Sequence, residues 1–173
     1  MGFRRLTGRL TGRLTGRLTR VLLIFGLVAG CGWSPPSAPP PPPDTCTPAD
    51  GPTPATVTSA VNGLAPATQG AWKEVARDHT KNCRLYWVQV GAGTDPAAPQ
   101  HLLFFDRNTP LGTATPQPKP YTTVLTSGQN TITVQYQWAQ ANDAPGRPTG
   151  IAQVRFQLGD DGKLKALDPI PNR

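Results

Sequence analysis

From Arg84 onward, apolar and polar positions alternate with a period of two, as in strands that bury one face. RLYWVQV (84–90) sets Leu85 and Trp87 on one side and Tyr86, Val88 and Val90 on the other. HLLFFDR (101–107) is apolar on both sides, which predicts a central or covered strand. The segments 91–99 and 142–148 read as loops, and Asn108-Thr109-Pro110 as a turn. LGTAT (111–115) reads as a third strand and PQPKP (116–120) as a rigid connector. YTTVL (121–125) fits either a short strand or a loose helix. TITVQYQW (131–138) alternates most cleanly, with Ile132, Val134, Tyr136 and Trp138 inward. GIAQVRFQL (150–158) turns Ala152, Val154, Phe156 and Leu158 inward, and GDDGK (159–163) is a hairpin turn.

Before Arg84 the pattern differs. TVTSAVNGL (56–64) places Val57, Val61 and Leu64 on one helical face, with Gly63 near the end and Pro66 beyond it. AWKEVARD (71–78) reads as a turn of helix or a loop, Trp72 and Val75 sharing a face. Strands joined by short turns after a leading helix predict an α+β fold: an antiparallel β-meander sheet with a short N-terminal helix packed on one face.

The strongest apolar run is elsewhere. VLLIFGLVAG (21–30) carries no charge and spans about half of the ~20 residues that a transmembrane helix needs. Arginines precede it, in three copies of Arg-Leu-Thr-Gly and a fourth ending in Arg20. A basic stretch, a short apolar stretch and a small-residue exit make a secretory signal peptide over residues 1–30. The exit Val28-Ala29-Gly30-Cys31 resembles the lipobox of bacterial lipoproteins. That resemblance implies a diacylglyceryl group on Cys31, cleavage before it and further acylation, as with palmitate, of the new amino terminus. The expected location is the extracytoplasmic face of the plasma membrane in a bacterial cell envelope. The repeat is then a long basic n-region that keeps the amino end cytoplasmic. Arg4-Arg5 raises twin-arginine export, but the rest of that pattern is missing from FRRLTG, which points to Sec export. A four-residue unit is too short for a solenoid, and Gly at every fourth position disfavours an amphipathic helix.

Removing the leader changes the charge. The whole chain has 17 basic and 10 acidic residues, and residues 1–30 hold six of the arginines and no acid. The remainder is nearly neutral at +1, which argues against a nucleic-acid partner. Residues 31–45 contain the run SPPSAPPPPP, a Pro-rich disordered linker that favours extended polyproline II. Residues 46–173 suit a single extracytoplasmic domain. With Cys31 lipidated, Cys46 and Cys83 remain as a pair for a disulfide in an oxidising compartment. The alternative, a metal or redox role, has neither a C-x-x-C nor an adjacent His behind it.

The run LLFFDRNTPLGTATPQPKPYTTVL (102–125), Cys83 just before RLYWVQV, LGTATP (111–116) and the closing LDPIP (167–171) resemble the LppP/LprE lipoprotein family of mycobacteria and their relatives. The matching pieces run in the family's order over most of residues 46–173. The resemblance implies a cell-envelope lipoprotein with a small extracytoplasmic domain, and it brings no catalytic residue with it. This chain departs in its repeated n-region and long proline tract.

Chemistry is sparse. His79 and His101 are the two histidines, and neither Ser59 nor Ser127 sits in a G-x-S-x-G setting. Asp160-Asp161-Gly162 lacks the downstream ligands of a calcium loop. Asp106 and Asp168 form a conceivable carboxylate pair that nothing in the sequence brings together. No enzyme, cofactor or metal is expected. Trp72, Tyr86, Trp87, Tyr136, Trp138 and Phe156 read as core packing on one sheet face or, more sharply, as an apolar groove for a lipid or glycolipid chain. The expected function is a membrane-anchored, non-catalytic binding or accessory module that meets an envelope protein, with a lipid or glycolipid binder as the alternative. Deleting residues 6–13 leaves four arginines and the whole apolar run. Export and processing of that variant should match the intact chain, as read by pulse-chase and cell fractionation.

Overall fold

The computed structural model describes residues 43–68 and 70–172. The Arg-Leu-Thr-Gly repeat, the apolar run, Cys31 and most of the Pro-rich segment lie outside the described residues.

The expectation of one meander sheet carrying a helix needs correcting. The described chain is mostly β, in two antiparallel four-stranded sheets, with one short α-helix. A single-turn 3₁₀ segment, Pro48–Asp50, precedes the helix α1, Pro54–Asn62. The first sheet contains β1 (Lys73–His79), β2 (Leu85–Gly91), β3 (Gln100–Asp106) and β4 (Thr109–Thr113), in chain order. The second contains β5 (Thr122–Ser127), β6 (Thr131–Trp138), β7 (Gly150–Leu158) and β8 (Leu164–Ala166), again in chain order. Each sheet is thus a meander of its own. The break falls at residues 114–121, where Pro116, Pro118 and Pro120 have no N–H for a ladder.

Two segments resolve as strands. AWKEVARD becomes β1, neither helix nor loop, because it pairs along the fully buried β2, from Lys73↔Gly91 to His79↔Tyr86. Sheet pairing there overrides a local pattern that shows no alternation. YTTVL becomes β5, paired with β6 from Thr122↔Tyr136. The GDDGK hairpin stands as read, closed by Gly159 N–H to the Lys163 carbonyl (2.9 Å) with Gly162 at φ 72°.

One core cluster joins the two sheets. Leu85, Trp87, Leu102 and Phe104 of the first sheet meet Ile132, Val134, Tyr136, Val154, Phe156 and Leu158 of the second. The Phe104 and Phe156 rings lie 5.1 Å apart. Polar contacts fix the alignment at the margins. Gln89 Nε2 donates to the Thr122 carbonyl (2.9 Å), Trp87 Nε1 donates to Ser127 Oγ (3.2 Å), and Lys81 N–H donates to the Gly128 carbonyl (2.9 Å). The opposite face of β2 and β3 forms a second cluster, in which Tyr86, Val88, Val90, Leu103 and Phe105 meet Val57 of the helix. Both faces of these two strands are therefore dry, as the two-sided apolar pattern of HLLFFDR predicts.

The Cys46–Cys83 disulfide is present, with a Cα–Cα distance of 5.4 Å. Cys83 sits in the β1–β2 turn at φ 55°, and its N–H donates to the Thr80 carbonyl (2.9 Å). The bond ties the start of the domain to this hairpin. The exported protein, unfolded without reductant, should show no free thiol. Reduction should lower its stability by about 2–5 kcal/mol in urea titration, and two reactive thiols in unreduced protein would contradict the bond. In the shared core, Phe104→Ala should cost about 3–5 kcal/mol by the same measurement.

Candidate functional site

The outer face of the first sheet is built by register. Tyr86↔Phe105, Val88↔Leu103 and Val90↔His101 are cross-strand partners, so His101 continues an otherwise apolar row. The helix α1 covers part of this face. Thr53 Oγ1 accepts from Thr56 N–H (3.2 Å) and caps it, and Pro54 occupies its first turn. Asn108 Oδ1, in the β3–β4 turn, accepts from Thr53 N–H (2.8 Å) and Thr56 Oγ1 (2.7 Å), which pins the helix start to the sheet. Nine residues make a helix of only about 14 Å. Beyond its last turn, Gly63 and Leu64 lie with His101 along one cleft.

A cleft of about 420 Å³ opens there. Ala60, Gly63 and Leu64 line it from the helix end, His101, Leu103 and Phe105 from β3, and Pro110, Gly112 and Thr113 from β4. Pro116, Gln117 and Pro118 of the connector complete it, and no charged side chain is among the lining residues. The β3–β4 pairing slips between Phe104↔Gly112 and Phe105↔Pro110, leaving Leu111 as the extra residue of a bulge. Gly112 takes φ 110°, a conformation open to glycine, and adds no side chain to the cleft wall. Pro110 is tolerated because β4 is an edge strand.

His101 is the chemically distinctive group. It is 4% exposed, its ring lies 5.1 Å from that of Trp72, and its Nδ1 has no hydrogen-bond partner among the described residues. Trp72 is held in turn by donation from Nε1 to the Ala65 carbonyl (2.9 Å). Burial pushes the His101 pKa below its ordinary value, favouring the neutral ring. An unpaired buried polar atom costs about 1–3 kcal/mol, so the position is expensive for packing alone.

A second cavity, about 340 Å³, lies where the chain enters the domain and includes Asp44, Cys46, His79 and Tyr86. His79 Nε2 is 3.1 Å from Asp44, and the buried Tyr86 hydroxyl has no partner among the described residues. Donor atoms of Asp44, Cys46 and His79 lie within 4.8 Å of one another. Cys46 is consumed by the disulfide and offers no thiolate, so this trio is not a metal centre.

The six aromatic residues singled out in the sequence are not brought together. Trp87, Tyr136 and Phe156 fill the core between the sheets. Tyr86 and Trp72 belong to the cluster on the opposite face. Trp138 is half-buried and lines a separate surface pocket with residues 139–141. Asp106 and Asp168 are engaged by different arginines, Arg84 (2.6 Å) and Arg155 (2.9 Å). Arg155 holds the Asp168 carboxyl down to about 2. Ser127 Oγ accepts from Trp87. His101 is not among the site residues that the sequence points to. Its signal was a polar residue in phase with Leu103 and Phe105 at the head of an apolar strand.

A pH dependence follows from the buried imidazole. Its folded-state pKa is depressed, so the unfolded chain takes up the proton first as pH falls. The stability linked to this group is complete above its ordinary value of 6.5 and is lost as pH drops below it. Urea midpoints at about pH 7.5 and about pH 5.5 should differ in the wild type, and His101→Phe should reduce that difference.

Comparison with known proteins places the chain. The profile of the LppP/LprE lipoprotein family matches residues 77–161, from within β1 to the β7–β8 turn. A Mycobacterium bovis protein bearing the name lipoprotein LppP is 52% identical over 153 residues, spanning 87% of this chain and 87% of its own length. Proteins of the same name from Mycobacterium tuberculosis strains CDC 1551 and H37Rv match to the same extent. No solved structure matches the chain. With half of its residues shared along nearly the whole length of these relatives, the chain belongs to the LppP/LprE lipoprotein family.

Proposed function

We propose that this chain is a lipid-anchored, non-catalytic binding module on the extracytoplasmic face of the plasma membrane. The observation that carries the compartment is the Cys46–Cys83 disulfide, since such bonds persist in oxidising surroundings. It supports the sequence reading in which residues 1–30 are a signal peptide and Cys31 bears the diacylglyceryl anchor. The Pro-rich stretch then spaces the domain from the bilayer, and the disulfide clamps the domain close to where that spacer ends. Membership of a lipoprotein family agrees with the anchor.

The non-catalytic reading draws on how the polar side chains are spent. Ser127 contacts Trp87, His79 faces Asp44, and Asp106 and Asp168 pair with arginines. Between the two binding readings, an envelope protein partner or an envelope lipid or glycolipid, the cleft favours the second. The exposed large apolar residues Val75, Leu125, Ile151 and Leu167 are dispersed over β1, β5, β7 and the C-terminal segment.

Cys31→Ala tests the anchor. Metabolic labelling with palmitate should disappear, and the protein should leave the membrane fraction. Continued labelling of the variant would overturn the lipoprotein reading of Cys31.

A further inference from the structure

We propose that Asp44, Asp78 and His79 bind a divalent transition-metal ion of the zinc class where the chain enters the domain. The site goes beyond the binding-module reading above and does not depend on the lipid anchor. Cys46 takes no part, since its sulfur is in the disulfide. The third donor is Asp78.

Three observations carry the site. The first is the state of the imidazole. His79 Nδ1 lies 3.2 Å from the Thr80 carbonyl, which can only accept, so Nδ1 carries a proton. In the neutral ring the Nε2 lone pair is then left facing two carboxylates, Asp44 Oδ2 at 3.1 Å and Asp78 Oδ1 at 3.9 Å. Three groups that all offer lone pairs repel one another until a cation stands between them. A proton on Nε2 sets one positive charge against two negative ones, whereas a divalent ion matches both. No basic side chain fills that role: Arg77 pairs with Glu74, and Lys81 in the adjoining cavity makes no ion pair among the described residues.

The second is distance and access. Zinc holds imidazole nitrogen at about 2.0–2.1 Å and carboxylate oxygen at about 2.0–2.2 Å in tetrahedral geometry, which puts neighbouring donor atoms roughly 3.3–3.6 Å apart. The two observed separations fall on either side of that range. The Asp44 and Asp78 side chains are 60% and 54% exposed, so both are free to rotate onto an ion. Two surface cavities, of about 340 and 380 Å³, each include all three residues, which opens the donors to solvent.

The third is preorganisation. Metal-bound histidines commonly give their other ring N–H to a carbonyl or carboxylate, which fixes the ring. Thr80, itself fully buried, accepts in that way from His79. Asp44 Oδ1 accepts from Cys46 N–H (3.0 Å), leaving Oδ2 for the ion. The disulfide then holds Cys46 to the turn that follows His79, so donors far apart in the chain are kept together covalently. Three protein donors leave the ion a position for water or a further ligand.

The test titrates zinc chloride into the purified full chain, with its disulfide intact and no reductant, so that no thiol competes. Calorimetry should show one bound equivalent that excess magnesium does not displace, because an imidazole donor favours zinc. X-ray absorption of the zinc-loaded protein should show one imidazole and oxygen donors, with no sulfur. Asp44→Asn, Asp78→Asn and His79→Gln should each weaken binding at least ~10-fold, the lower end of the loss on removing even a ligand's hydrogen-bond partner. Both carboxylate changes are isosteric and exposed, so the fold tolerates them. Glu74→Gln, on the same strand but paired with Arg77, should leave the affinity unchanged. Absence of binding would overturn the proposal and leave Asp44 and His79 as a plain ion pair. Binding that all three variants leave intact, or a sulfur ligand, would overturn it as well. The Cys31→Ala result has no bearing on either outcome.

Discussion

The constraint on which this structure depends is that β2 and β3 have two dry faces. Every residue of Leu85–Gly91 is buried, as are the five central residues of Gln100–Asp106. A strand pair of that kind cannot end a domain, since each apolar row loses stability in proportion to the area left wet. One row is covered by the second sheet through Phe104, Phe156 and their neighbours. The other needs a cover from the chain that precedes the sheet, and the helix and the disulfide-linked entrance segment supply it.

That cover is close, and the candidate cleft runs along its margin. Only Val57 of α1 is buried, and the helix stops after Asn62. Beyond it Leu64 and Trp72 join the outer cluster, and Leu103 and Phe105 are fully buried. At that end the row changes from aliphatic residues to His101. The same β3 residues that complete the outer cluster lie behind the cleft. The Asn108 bonds to Thr53 and Thr56 matter here because they fix where the helix begins on this face.

The disulfide performs a matching task at the other end of the same face. Cys46 lies just ahead of the segment Pro48–Asp50, and Cys83 in the β1–β2 turn. Gly51 packs against the Tyr86 ring so closely that a Cβ there would lie 2.7 Å from it, which leaves no room for a side chain. The entrance segment is therefore pressed onto β2 by a covalent bond and a close backbone approach.

By itself, the sequence determined the strands whose sides differ in polarity. The inward side of TITVQYQW, GIAQVRFQL and RLYWVQV could be read, Trp138 excepted as half-buried at the surface, because a period of two states which residues face inward whatever the partner. It also pointed to the Cys46–Cys83 pairing, as the two cysteines of residues 46–173, and to the family, since the LLFFDR and LGTATP segments are distinctive. Only the tertiary structure decided the rest. Lys73–His79 is a strand because β2 offers it a ladder, not because KEVARDH alternates. The eight strands divide into two sheets because the proline connector cannot extend the first, and no periodicity records which sheet a strand joins. The aromatic residues, alike in sequence, separate onto opposite faces, so the groove they were expected to form dissolves into two cores. His101 is buried because Trp72 and the outer cluster close around it, a matter of placement that the identity of the residue does not contain.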